Sequence, residues 1–111
     1  MSADLWIESP ACEACGRQFD GAELNVTYNL SKMLREAGFE GWRWCVGRSA
    51  QEVGKHMLAV LDGMRADEGR WRAMNPANGW GNYDACLQDA MRTFAYECLA
   101  APAGSTIGAS L

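Results

Sequence analysis

Residues 49–66, Ser-Ala-Gln-Glu-Val-Gly-Lys-His-Met-Leu-Ala-Val-Leu-Asp-Gly-Met-Arg-Ala, predict the central helix of the fold. The stretch opens with Ser49 and Glu52 at the spacing of a capping box, in which the hydroxyl and the carboxylate satisfy backbone N–H groups of the first turn. Apolar side chains then recur at helical spacing and form one stripe: Val53, Met57, Val60, Leu61 and Met64. This stripe marks the side of the helix that faces the core.

A shorter helix is predicted upstream, over Leu30 to Ala37. Its apolar residues share one face, Asn29 stands where an N-cap residue is expected, and Gly38 follows where a helix commonly ends. Residues 39–48 are rich in Gly and Trp and show neither helical nor strand periodicity. They are therefore predicted to be irregular.

The last helix is predicted to begin at Asn82, which caps it, and to end before Pro102. Asp84 lies in its first turn, where the helix dipole favours a carboxylate. Its apolar positions recur at helical spacing: Tyr83, Leu87, Ala90, Met91, Phe94 and Cys98. A short helical turn, residues 68–74, is predicted between the central and the last helix.

Two short strands are predicted ahead of the first helix. Residues 4–8 alternate polar and apolar side chains, and residues 23–28 do the same. The tail, residues 103–111, has a short apolar stretch between small residues and is either loose or an edge strand. We therefore predict a single α+β domain over residues 1–102. Its fold class is about three helices packed on a small antiparallel sheet, formed by the N-terminal strands and, if it pairs, by the tail.

Composition bounds the class of protein. With 111 residues, 49% of them hydrophobic and 22% charged, the chain is long enough for one hydrophobic core and unlike a disordered sequence. A net charge of −4 disfavours non-specific binding to nucleic acid. Trp42-Arg-Trp-Cys-Val-Gly-Arg48 is the local exception, because an Arg beside an indole can stack on a base or cap the edge of a core.

The N-terminus shows no basic segment followed by an apolar run, and no stretch approaches the roughly 18 apolar residues of a membrane helix. The chain has five cysteines, an odd number, which without a secretory signal indicates reduced thiols and not a disulfide framework. We therefore expect a cytoplasmic protein that has no membrane partner.

Two of these cysteines form the turn Cys12-Glu-Ala-Cys15-Gly16. This spacing lets two thiolates bind one tetrahedral zinc ion, but a complete site needs two more ligands. Cys45 and the lone His56 could supply them, or a second chain could; otherwise the two thiols are free. A thioredoxin-like redox role is disfavoured because no helical pattern begins after the turn. Zinc is thus the one cofactor that the sequence suggests.

A turn-rich loop, Asn75-Pro-Ala-Asn-Gly-Trp-Gly-Asn-Tyr83, joins two helical segments. Its Gly, Asn and Pro residues encode a fixed backbone shape, since Gly and Asn tolerate positive φ and Pro sets its own φ. Asn78, Trp80 and Tyr83 are therefore candidate binding residues. The composition alone favours a rigid turn with Trp80 buried as an anchor.

Asn25, Thr27 and Asn29 form a second candidate row, on one side of the second strand. Each residue by itself is expected to serve nearby backbone groups. If the row meets the Asn78–Tyr83 loop in space, the amides and Trp80 could form a pocket for a nucleotide or another flat polar ligand.

The segments Asn25-Val-Thr-Tyr-Asn-Leu-Ser-Lys-Met33 and Met74-Asn-Pro-Ala-Asn-Gly-Trp-Gly-Asn-Tyr83 together resemble a family of small proteins of phages and bacteria. The resemblance extends over roughly residues 4 to 102, and the two motifs are specific when found together. It implies the order of elements given above and a phage or prophage setting in a host cytoplasm. It implies no activity and no catalytic residue.

Two classes of function are carried forward. No nucleophile with its base, carboxylate pair or Gly-rich phosphate loop can be recognised, so an enzyme is the least supported class. The first prediction is a phage accessory protein that binds a protein partner, with inhibition of a host defence complex as one form. The alternative is a small-ligand binder. A partner-binding protein should expose Trp42, Trp44 or Trp80 in an apolar patch, whereas a ligand binder should bury them around a cavity.

Overall fold

A computed structural model of the protein describes residues 1–11, 13, 14, 16 and 21–111. Its sheet has three antiparallel strands in the order β2-β1-β3: β1 Ser2–Glu8, β2 Glu23–Thr27 and β3 Thr106–Ser110. The predicted α+β class is therefore confirmed. Of the two alternatives for the tail, the edge strand is correct, because residues 106–110 pair with β1.

The alternation of side chains decides which face of the sheet is buried. Ala3, Leu5 and Ile7 of β1 point into the core, and Leu5 lies opposite Leu24 of β2 and Ala109 of β3. A slip of one residue would move this apolar set to the solvent side, so the register is strongly specified.

The described part of the chain contains five α-helices: α1 Ser31–Glu36, α2 Trp42–Cys45, α3 Ala50–Met64, α4 Glu68–Ala73 and α5 Arg92–Ala100. Helices α2 and α3 contact β3, and α5 packs on α3. Two 3-10 turns and one π-helical segment complete the helical layer: Tyr28–Leu30, Arg65–Asp67 and Tyr83–Met91. The segment predicted to be irregular thus contains one helical turn, α2.

Helix α3 begins as predicted. Ser49 Oγ accepts a hydrogen bond from the Glu52 N–H at 3.1 Å. The second half of the capping box is absent, because the Glu52 carboxylate pairs with Arg48 at 3.4 Å instead. All residues of the predicted stripe are buried, and α3 packs mainly on α5. The two helices approach closely at Gly54, where a Cβ atom would lie 2.8 Å from the Ala95 carbonyl oxygen.

The start of the first helical segment differs from the prediction. The cap is Thr27, whose Oγ1 accepts from the Asn29 N–H at 3.3 Å. The chain enters the helix through the 3-10 turn Tyr28–Leu30, which moves the capping position two residues upstream. The side chain of Asn29 is thereby free to bind elsewhere.

The last helical segment is capped by Asn82, whose Oδ1 accepts from the Ala85 N–H at 2.7 Å, as predicted. Its first nine residues, however, wind as a π-helix. Successive residues of a π-helix are separated by a smaller rotation because the hydrogen bonds span five residues. Tyr83, Leu87 and Met91 consequently stay on the buried side, while Ala90, which was predicted to be in the stripe, is exposed.

Candidate functional site

The two polar segments singled out in the sequence meet in the structure. The Asn29 side-chain amide donates a hydrogen bond to the Trp80 carbonyl oxygen at 3.4 Å. Gly81 packs directly on the turn after β2, since a Cβ atom there would lie 2.5 Å from the Thr27 methyl group. The end of β2 and the Asn78–Tyr83 loop therefore form one structural unit.

Asparagine side chains fix the backbone of this loop. Asn78 Oδ1 accepts from the Trp80 N–H at 2.9 Å, and Asn75 Oδ1 accepts from the Tyr83 N–H at 2.8 Å. Gly79 and Gly81 adopt positive φ values of 76° and 94°, which other residues rarely take. The side-chain oxygens of these two asparagines are thus used to hold the chain.

Trp80 is exposed, with 71% of its surface accessible to solvent. The expectation that it is a buried anchor is wrong. The anchoring role belongs to Tyr83, which is fully buried at the start of the π-helical segment. The fixed loop therefore holds a large aromatic side chain out in solvent, where it is accessible to a partner.

Tyr83 fixes the base of the loop. Its hydroxyl donates to Glu68 Oε2 and accepts from the Gln88 side-chain amide, both at 2.8 Å. Burial, together with the hydrogen bond to Glu68, raises the pKa of Tyr83 to about 12. Next to it, Arg72 of α4 binds Asp84 with two hydrogen bonds of 3.1 and 3.0 Å. The loop is thereby attached firmly to α4.

The other candidate indoles differ from Trp80. Trp42 is only 8% exposed and packs edge-on against Phe39, with 4.7 Å between the ring centroids. Trp44 is half-buried and is covered by the Arg48 guanidinium, 4.3 Å from the ring centroid. Of these three indoles, only Trp80 is mostly exposed to a partner.

Two grooves flank Trp42, with volumes of about 250 and 430 Å³. Both share the turn from Glu40 to Trp42, and the larger also includes Tyr28 and Leu111. Trp80 lines neither groove. The arrangement expected for a small-ligand binder, in which the indoles surround one cavity, is therefore not found at these two grooves.

His56 stabilises the turn between these grooves. Its Nε2 accepts a hydrogen bond from the Glu40 N–H at 3.1 Å, so the ring is neutral in this arrangement. The ring stacks on Phe39 and contacts Trp44, with centroid separations of 5.4 and 4.6 Å. Burial lowers the pKa of His56 below its ordinary value of 6.5, and the Glu40 carboxylate opposes this effect more weakly.

Stability is expected to depend on pH through His56. Since its pKa is lower in the folded state, the unfolded chain binds the proton more readily, and His56 lowers stability as pH falls below about 6.5. The measurement is urea denaturation of the wild type and of His56→Gln over about pH 5 to 8. The stability difference between them should be constant in the upper part of this range and should shift against the wild type in the lower part. A difference that does not change with pH would refute the assignment.

The predicted zinc ligands Cys12 and Cys15 lie outside the described residues. The two residues expected to complete the zinc site, Cys45 and His56, have other hydrogen-bond partners in the structure. Cys45 is buried, its thiol donates to the Gly41 carbonyl oxygen at 3.5 Å, and burial raises its pKa to about 12. His56 Nε2 is bound to Glu40. Among the residues that the structure describes, no three His, Cys, Asp or Glu side chains are grouped so that they could hold a metal ion. Zinc at the cysteine turn stays a prediction, to be checked by the native mass of the protein.

Comparison with protein-family models, curated proteins and solved structures finds no match to this chain. The resemblance to the phage and bacterial proteins therefore stays a prediction. Within the described ranges, no helix combines the length and the apolar content that crossing a membrane requires.

Proposed function

We propose that this chain binds a protein partner through the Trp80 loop and acts as an accessory protein of a phage or prophage in a host cytoplasm. The observation that carries the proposal is the 71% exposure of an indole on a loop with a fixed backbone. Large aromatic side chains are the commonest anchors of protein interfaces, and a rigid loop loses little entropy on binding. Inhibition of a host defence complex is the form that the predicted phage setting favours.

A protein partner is favoured over a small ligand for two reasons. The amides of Asn75, Asn78 and Asn82 each accept from a backbone N–H, so their oxygens are already used. Trp80 also stands out from the surface, whereas a small ligand needs concave walls. An exposed indole can instead enter a pocket on a partner.

Trp80→Ala is expected to abolish partner binding and to leave the fold intact. Truncating an anchor of this kind typically costs about 2 kcal/mol or more of binding free energy, which is roughly a 30-fold loss of affinity. Truncating an exposed side chain changes stability by about 0.5 kcal/mol at most. The measurement is affinity capture from a bacterial lysate with quantitative mass spectrometry, together with thermal unfolding of each variant.

Tyr96→Ala is the matched control, because Tyr96 is also exposed and aromatic but lies on α5. A specific partner should be retained by the wild type and by Tyr96→Ala and lost with Trp80→Ala. The proposal fails if Trp80→Ala retains the same partners, or if it unfolds the protein.

A further inference from the structure

The outer face of the sheet carries a tryptophan among carboxylates. Trp6 lies at the middle of this face, with Asp4 and Glu8 two residues away on the same strand. Glu23 of β2 and Gly108 of β3 are its direct neighbours across the sheet. The three strands contain no Lys, Arg or His, so they account for three of the four net negative charges of the chain.

Contacts with Gly108 of β3 and with Glu8 fix the position of the Trp6 ring. A Cβ atom on Gly108 would lie 2.3 Å from Trp6 Nε1, so the indole covers the bare backbone of β3. Trp6 Nε1 donates to Glu8 Oε1 at 2.9 Å, which holds the ring in this orientation. The side chain is half-buried and keeps its other side toward solvent.

Three aromatic rings in the described part of the chain have an arginine over them. Arg48 lies over Trp44, Arg70 over Trp71 and Arg72 over Tyr83, at 4.3, 4.4 and 5.8 Å from the ring centroids. No cationic group among the described residues takes that position over Trp6. The ring has the carboxylates that would attract a cation but no cation from the described part of the chain.

A recess beside Trp6 offers the space that such a group requires. Its volume is about 480 Å³, and it is lined by residues of β1, of β2 and of the end of β3: Asp4, Leu5, Trp6, Glu23, Leu24, Asn25 and Ser110. Asp4 accepts a hydrogen bond from the Asn25 amide, which positions the carboxylate at the rim. Neither Asp4 nor Glu23 takes part in an ion pair within the described residues.

We propose that this recess binds an arginine side chain of the protein partner, with the guanidinium stacked on Trp6 and bonded to Asp4 or Glu23. A guanidinium is planar, stacks on aromatic rings and forms bidentate bonds with carboxylates, whereas an ammonium is a compact charge. The inference rests on the proposed function and deepens it by stating the chemistry of the partner surface.

The recess and the Trp80 loop lie at the two ends of one row of side chains on β2. The outward residues of β2, Glu23, Asn25 and Thr27, run from the recess to Gly81, over roughly 13 Å at the strand rise. A typical interface covers about 800 Å² on each partner, which is large enough to include both. One partner can therefore contact Trp80 and place an arginine over Trp6.

The test uses the isolated protein and short capped peptides, Gly-Arg-Gly, Gly-Lys-Gly and Gly-Gln-Gly, in a titration followed by the NMR signals of the indole N–H groups. The arginine peptide should shift the Trp6 signal saturably, more strongly than the lysine peptide, while the glutamine peptide has no effect. Asp4→Asn/Glu23→Gln should weaken arginine binding by about tenfold. Gly108→Ala should displace the indole and weaken arginine binding by a similar factor, while the protein stays folded.

Asp89→Asn/Glu97→Gln is the control, since it removes the same charge from exposed residues of the helical layer. Equal weakening by this control, an equal response to the glutamine peptide, or no shift of the Trp6 signal would overturn the inference. With a captured partner, loss on Trp80→Ala and no loss on Asp4→Asn/Glu23→Gln would overturn the arginine site alone. The reverse pattern would overturn the role of Trp80 and leave the arginine site standing.

Discussion

Gly81→Ala is expected to destabilise the protein by about 2–4 kcal/mol, because two costs combine at this position. The residue has a φ of +94°, where a side chain is strained. A Cβ atom would also lie 2.5 Å from the Thr27 methyl group and 3.3 Å from Leu30 side-chain atoms. The loop must then move away from the end of β2. Denaturant unfolding measures the loss of stability.

Gly79→Ala separates the two costs. Gly79 has a similar φ of +76°, but no atom lies within 4 Å of a Cβ built there. Only the conformational cost remains, about 1–2 kcal/mol. The difference between the two variants therefore measures how tightly the loop packs on Thr27 and Leu30. Equal losses would mean that the loop does not rest on the end of β2.

Gly54→Ala is expected to destabilise the protein by about 1–3 kcal/mol, although alanine is the better helix former. Its Cβ atom would lie 2.8 Å from the Ala95 carbonyl oxygen and 3.0 Å from Cys98 Cβ. A backbone oxygen cannot rotate away as a flexible side chain can, so α3 and α5 must separate. The free energy of unfolding in urea measures the effect.

Gly63→Ala is the matched control, because it is the same change in the same helix. No atom lies within 4 Å of a Cβ at Gly63, so only the helix propensity changes, and stability should rise by up to about 1 kcal/mol. The two substitutions should thus have opposite signs. A gain of stability with both substitutions would show that α3 and α5 are not in close contact at Gly54.

The fold could be predicted where one element carries a strong periodic pattern. The cap at Ser49 and the apolar stripe after it define α3 without reference to the rest of the chain. The alternation in residues 4–8 likewise gives both a strand and its buried side. Such patterns are local, because the side that faces the core repeats with the pitch of the element.

The predictions for Asn29, Trp80 and Ala90 were wrong. Asn29 could cap a helix or bond to a distant carbonyl, and its partner, Trp80, lies 51 residues away. Trp80 was expected to be buried because of its size, but its side chain is exposed. Ala90 was misplaced because the stripe assumed α-helical spacing, whereas this segment winds as a π-helix, in which the same backbone groups pair five residues apart. Local sequence does not distinguish between these outcomes.

The sheet recess was not predicted at all. The alternation of residues 4–8 already places Asp4, Trp6 and Glu8 on one side, and this is the one pattern that pointed to it. The neighbours Glu23 and Gly108 become apparent only from the register of the three strands. Because the glycine is 102 residues from Trp6, pairing over such a distance cannot be derived from a local pattern.

The central position of β1 also has a consequence for the rate of folding. Asp4 pairs with Ser110, so closing the sheet joins residues separated by on the order of a hundred positions. Of the three strands, β3 comes last along the chain, so it is synthesised after both β1 and β2. Contacts of such high sequence separation slow folding, so we expect the pairing of β3 with β1 to form later than the helices.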